Sequence, residues 1–174
     1  MFISQTTIDN VNALIKRFFQ HNRTWDNFLG FSNVEWALHN FNGVFHYGLA
    51  HLYPLLADKC SDVLLDFNIV PQYGTTDADF RTYENVDDFF LANIDEHKQT
   101  YELLCKTIND ANTNGDLNVA KEIDNLLRMF NKFIAQAILL KDKAEVYGDN
   151  LWAFDADAGQ FYILEEVKEE LTSD

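Results

Sequence analysis

The chain has 174 residues, 47% hydrophobic and 14% aromatic, enough apolar material for one packed domain and too much for a disordered polar chain. Its 28 acids against 13 bases leave a net charge of −15. That balance repels nucleic-acid phosphates and anionic lipid headgroups, so direct DNA binding and membrane binding are unfavoured, while cations are attracted. Two Pro and seven Gly are few, which favours long helices over a turn-rich β fold.

Cys60 and Cys105 stand apart in apolar helical contexts and read as buried free thiols. The opening MFISQTTIDN has no basic leader followed by an apolar run, and no stretch approaches 18 apolar residues. These features point to a soluble, cytoplasmic protein.

Thr7 to about Phe28 reads as a first helix. Val11, Leu14, Ile15, Phe18, Trp25 and Phe28 form its apolar stripe, Lys16, Arg17 and Arg23 face out, and His21 sits at the edge. Gly30 in the Leu29-Gly-Phe-Ser32 break is placed to end it. A long second helix then runs from Ser32 to Phe67. Val34, Leu38, Phe41, Phe45, Leu49, Leu52, Leu56, Val63 and Phe67 recur at steps of three, four or seven, one stripe at about 100° per residue. Ser32 and Glu35 make a Ser-x-x-Glu capping box, and Pro54 predicts a kink. A loop at residues 40–43 is the alternative. The polar face of this helix carries Glu35, His39, Asn42 and His46, and its flank carries His51, Asp58 and Asp62, with Asp66 continuing the row.

Residues 68–81, with Pro71 and Gly74, form a loop too long for a tight turn. A third helix spans about Thr82 to Asn112, with Val86, Phe90, His97, Tyr101, Leu104 and Ile108 on one face. Asn114-Gly115 supplies left-handed residues and Asp116 is placed to cap the next helix. The fourth helix spans about Leu117 to Val146, with Ala120, Ile123, Leu127, Phe130, Ile134 and Ala137 inward. Residues 1–148 thus make an all-α four-helix bundle. Residues 149–174 form an appendage of the same domain. This is either a small hairpin (Trp152, Phe154, Phe161, Ile163) with a short acidic helix, or an extended tail packed on another subunit.

A short link, a long crossover between the second and third helices, and a short final turn resemble the ferritin-like bundle over roughly Thr7 to Val146. More locally the chain is similar to the Dps branch, the miniature ferritins that assemble as hollow oligomers. WALHNFNGVFHYGLAH offers His39, His46 and His51, Asp62 and Asp66 stand as Asp-x-x-x-Asp where that branch has Asp-x-x-x-Glu, and Gly74-Thr75-Thr76 follows. The chain departs from the family in three respects. Its His-to-Asp spacing is shorter by about one helical turn, LADKCSD replaces the Glu-x-x-His of larger ferritins, and the fourth helix has no Glu on its core face. The resemblance implies a symmetric homo-oligomer, a dimer or a higher cage, with iron as the metal.

A ferroxidase centre needs carboxylates and imidazoles converging on one point, because Fe²⁺ takes O and N donors. The candidates are His39, His51, Asp58, Asp62 and Asp66, with Glu35 and His46 next. Glu35, His39 and His46 would converge across a two-fold interface, and His51, Asp58 and Asp62 along the helix flank. The alternative is that both sets are solvated or interfacial polar residues. His21 and His97 lie near apolar faces of different helices and are placed to meet in the core, with Tyr101 as a neutral partner. Asp110 to Asp116 imitates the first half of a calcium-binding EF-hand loop, but Lys121 holds the twelfth place, so a capped turn is the simpler reading. The Asp155-Ala-Asp157-Ala-Gly159 run likewise reads as a turn. No phosphate loop, Cys-x-x-Cys or His-Glu-x-x-His is present. Three functions follow: an iron-oxidising and iron-storing ferritin/Dps-like oligomer, a bundle without a metal centre serving as a structural or interaction module, or a helical module whose polar face binds a partner protein.

Overall fold

The computed structural model describes residues 2–173. Four long helical stretches pack around one aromatic core, and no strand occurs among the described residues. The first is α1, Gln5–Glu35, N-capped by Ser4, whose Oγ accepts from Thr7 N–H at 3.2 Å. The second is α2, His39–Phe45, continued through a π turn at His46–Ala50 into α3, Leu52–Leu65. After the crossover come α4, Val86–Asn114, and α5, Leu117–Tyr147. α1 runs antiparallel to α4, since Arg17 meets Thr100, His21 meets His97 and Phe28 stacks on Phe89. Among the described residues no helix is long and apolar enough to cross a membrane.

The expected stripe of the second helix is buried at Leu38, Phe41, Phe45, Leu49, Leu52, Leu56 and Val63, whereas Val34 is 76% exposed. Val34 faces water because the break falls later than Gly30. α1 continues through Gly30 and Ser32, and the chain turns at Ala37, a non-glycine residue at φ 55°. Ser32 is therefore no capping residue: it lies inside α1, and its hydroxyl donates to Leu29 O at 3.3 Å. The cap of α2 comes from far along the chain. The Asp155 carboxylate accepts from Phe41 N–H at 2.8 Å and Asn40 N–H at 3.2 Å, where an anion is favoured by the helix dipole.

Residues 66–85 cross the outer face of α1 without regular structure, held by side-chain amides of that helix. Asn12 Oδ1 accepts from Gln72 N–H at 2.8 Å. Gln20 accepts from Asp77 N–H and donates to Asp77 O, and Asn27 donates to Arg81 O. Arg81 ties the end of the crossover to Asp79 and Glu96. Asn85 then caps α4, and Gly115, left-handed at φ 80°, ends it. Asp116 does not cap α5 through its side chain. Its carboxylate accepts from Ser4 N–H and the Thr7 hydroxyl, tying the start of α1 to the α4–α5 turn at the same end of the bundle.

The C-terminal segment is helical, not a hairpin. It forms α6, Leu151–Ala156, a 3₁₀ turn at Ala158–Phe161, and α7, Glu165–Thr172. Phe154 and Phe161 are seven apart, a helical spacing, and both are buried. The Gln136 side chain of α5 supplies the strand-like pairing that a hairpin would have made: it donates to Phe161 O and accepts from Ile163 N–H.

Candidate metal centre

In an α-helix, residues five apart point about 140° away from each other, since five steps of about 100° make about 500°. His46 and His51 are five apart, yet they meet. The π turn between them is closed by His51 N–H donating to His46 O at 3.1 Å, which brings the fifth residue back over the first. The two imidazoles stand edge to face with centroids 4.5 Å apart. Asp26 of α1 faces them, its Oδ1 3.6 Å from His46 Nε2 and 3.7 Å from His51 Nε2. One donor atom from each of the three residues lies within 4.8 Å of the other two.

The irregular turn has identifiable causes. Pro54 has no N–H for the Ala50 carbonyl, so the expected disturbance appears just before it as the π turn. Asn22 of α1 takes that carbonyl, donating to Ala50 O at 3.0 Å and to Asp26 Oδ2 at 3.1 Å. One amide thus fixes both the turn and the carboxylate facing it. On the other side, the Tyr162 hydroxyl donates to Gly48 O at 2.8 Å. Its ring lies so close that a Cβ on Gly48 would stand 2.9 Å from it.

With Oδ2 held by Asn22, Asp26 Oδ1 is buried and has no hydrogen-bond partner among the described residues. A buried carboxylate oxygen without a donor is costly unless a cation faces it. An imidazolium or a metal ion supplies that charge. Two imidazoles and one carboxylate suit Fe²⁺ or Zn²⁺. Donors about 2.1 Å from one ion stand about 3.0–3.4 Å from each other, so the two separations from Asp26 Oδ1 to the imidazoles, 3.6 and 3.7 Å, need close by only a few tenths of an ångström. The three side chains are 35–43% exposed, which leaves the remaining coordination positions open to solvent.

No protein-family model and no curated protein matches the chain. Solved structures do match it. A ferritin from Chlorobium tepidum superimposes with a TM-score of 0.78, covering 91% of this chain and 98% of that one at 12% identity. The chain has a ferritin-like fold. At that identity the likeness reaches the fold and not the residues.

Ferritin-like di-iron proteins carry inward-facing glutamates and histidines in the bundle core. The corresponding region here holds His21 of α1, Tyr53 of α3, and His97 and Thr100 of α4, all buried, with no carboxylate among them. Tyr53 O–H donates to His97 Nε2 at 2.8 Å, His97 Nδ1–H donates to Asn93 O at 2.7 Å, and His21 Nε2 bonds Thr100 Oγ1 at 2.7 Å. Burial, with lesser help from neighbouring positive charge, holds His21 well below the usual imidazole range and His97 at about 4. Burial likewise raises the Tyr53 hydroxyl. A neutral network with no anion does not fit a pair of iron ions, whose charge would be uncompensated. His21 and His97 meet as expected, with centroids 4.8 Å apart. Their partners are Tyr53 and Thr100, while Tyr101 is 40% exposed.

Of the residues expected from the sequence, the structure brings together His46 and His51. Glu35 ends α1 and His39 begins α2, so the Ala37 break separates them, and His39 Nδ1 bonds Asn33 Oδ1 at 2.8 Å. Asp58, Asp62 and Asp66 continue along α3 and its C-terminal end, away from the three-donor set. Partial burial, and then repulsion from Asp62, raises the Asp58 carboxyl. Asp62 and Asp66 border a groove of about 750 Å³ with Glu122 and Lys132 of α5 and Glu166 of α7. Periodicity gives no reason to single out Asp26. The only hint in the sequence is Gly48 between the two histidines and Pro54 after them, a place where regular helix is weak.

Proposed function

We propose that this ferritin-like chain binds Fe²⁺ at Asp26, His46 and His51, and that a symmetric cytoplasmic homo-oligomer of it oxidises and stores the iron. The observation that carries this reading is the buried, unpartnered Asp26 Oδ1 set between two imidazole Nε2 atoms. Fe²⁺ is the substrate. Asp26 neutralises part of its charge, and His46 and His51 hold it as neutral ligands. The open side admits water and oxidant. The net charge of −15 draws cations towards the surface. Large apolar side chains left exposed at Val70, Phe80 and Trp152 support self-association.

Anaerobic titration with Fe²⁺ should show one bound ion per chain, and admission of air should produce ferric absorbance. Asp26→Asn and His51→Ala should each abolish the stoichiometric binding. If wild type binds no Fe²⁺, or if Asp26→Asn binds it unchanged, the reading fails. Light scattering tests the oligomer, and a monomer would remove the storage step. The carboxylate-free bundle centre favours a second reading, a ferritin-like bundle serving as a structural or interaction module. Absence of metal binding by the wild type would leave that reading standing.

A further inference from the structure

Where the crossover lies on α1, Phe19, Asn22 and Arg23 of the helix and Tyr73, Gly74 and Thr76 of the crossover line an open surface pocket of about 260 Å³. We propose that this pocket binds a small aromatic carboxylate, its ring against Phe19 and Tyr73 and its anionic head on Arg23. The proposal goes beyond the metal reading and does not depend on it.

The pocket is preformed. The crossover is pinned on both sides of it, by Asn12 to Gln72 before Tyr73 and by Gln20 to Asp77 after Thr76. Ligand binding therefore need not order a loose loop, which removes a large cost of association. The Phe19 and Tyr73 rings, 5.9 Å apart and tilted at 57°, both line the pocket and give it aromatic walls on which a further ring packs favourably edge to face. The volume lies just under the usual range for small-molecule sites, about 300–1,000 Å³, and suits a single ring.

Arg23 sets the head group. The chain has four arginines among 28 acids. Arg17 bonds Thr100 and Glu96, Arg81 bonds Asp79 and Glu96, and Arg128 pairs with Asp124. Arg23 alone makes no hydrogen bond or ion pair among the described residues. A guanidinium offers a planar fork that a carboxylate matches with two parallel bonds. The strongly negative surface favours a monoanion over a phosphate dianion.

The test titrates benzoate into the full chain in the presence of EDTA, followed by ¹H–¹⁵N spectra, so no outcome depends on a metal. Saturable shifts should appear at α1 and the crossover. Arg23→Gln should weaken binding at least about tenfold, as should replacing benzoate by benzamide or by acetate. Tyr73→Ala should weaken it as well. Arg23→Gln should melt with the wild type, because Arg23 has no partner to lose. The proposal is overturned by absence of saturation, by equal binding to Arg23→Gln, by equal binding of benzamide, or by phosphate or acetate binding as tightly as benzoate.

Discussion

Gly48→Ala sets helix propensity against the packing of the π turn. Propensity favours alanine by about 1 kcal/mol inside a helix. The structure opposes it, because the new Cβ would stand 2.9 Å from Tyr162 Cε2, 3.2 Å from Cζ and 3.3 Å from the hydroxyl oxygen. The ring must move. Overpacking of this kind costs about 1–3 kcal/mol, and loss of the Tyr162 hydrogen bond to Gly48 O about 1 kcal/mol more. After the propensity gain, a net destabilisation of about 1–3 kcal/mol remains. In a chain of this size that lowers the melting temperature by about 2–12 °C. Urea denaturation followed by circular dichroism measures it. In a Tyr162→Ala background the clash is gone, so the cost of Gly48→Ala should vanish or reverse. If Gly48→Ala stabilises the wild type, or has the same effect in both backgrounds, the Tyr162 ring does not oppose a side chain at this position.

Stability should fall as the pH drops from about 6.5 towards 4. His97 is neutral in the folded chain down to about 4, and His21 is also held below its ordinary range, while both take up protons near 6.5 once unfolded. Their contribution is therefore fully present above 6.5 and is lost on acidification, by about 3 kcal/mol for His97 alone. Urea midpoints at pH 7 and pH 5 should show the loss, and His97→Gln should flatten the dependence. Tyr53→Phe leaves His97 Nε2 buried without a donor and should cost about 1–3 kcal/mol by the same assay. Asp155→Asn weakens the long-range cap and should cost about 1 kcal/mol, with faster amide exchange at Asn40 and Phe41 as its local signature.

The bundle was legible because burial imposes a period. Phe41, Phe45, Leu49, Leu52 and Leu56 repeat at helical steps and are all buried, and so are Ile123, Phe130 and Ala137 of α5. The end of α4 and the start of α5 were legible because Asn114-Gly115 marks a turn by its own local chemistry, whereas α4 begins at Val86 and not near Thr82, because the Asn85 side chain caps it. The first link was not. Gly30 is tolerated inside α1, while Ala37 adopts a left-handed conformation that alanine alone disfavours. Leu38 N–H donating to Ser32 O at 3.2 Å closes that turn, and the Asp155 carboxylate, over a hundred residues away, caps the helix that follows, which no local pattern encodes. The C-terminal segment misleads for a similar reason, since the Gln136 clasp on Phe161 and Ile163 replaces strand pairing with a single side chain.

The candidate site was half legible, and the missing half follows from one assumption. Under an α-helical period His46 and His51 point apart, so each is assigned to a different set, His46 with Glu35 and His39 and His51 with Asp58 and Asp62. One π turn reverses this, turning the pair onto one point and leaving the other acids behind. The turn depends on Pro54 freeing a carbonyl, on Asn22 of another helix taking it, and on Tyr162 lying against Gly48. Asn22 also places Asp26, so the third donor is selected by the same contact that holds the turn. It follows that metal binding and the packing of the π turn are linked. A substitution that restores regular helix at Gly48 should reduce metal affinity together with stability, whereas Asp26→Asn should remove the metal alone. A variant with a regular second helix and undiminished metal binding would show that the π turn does not assemble the site.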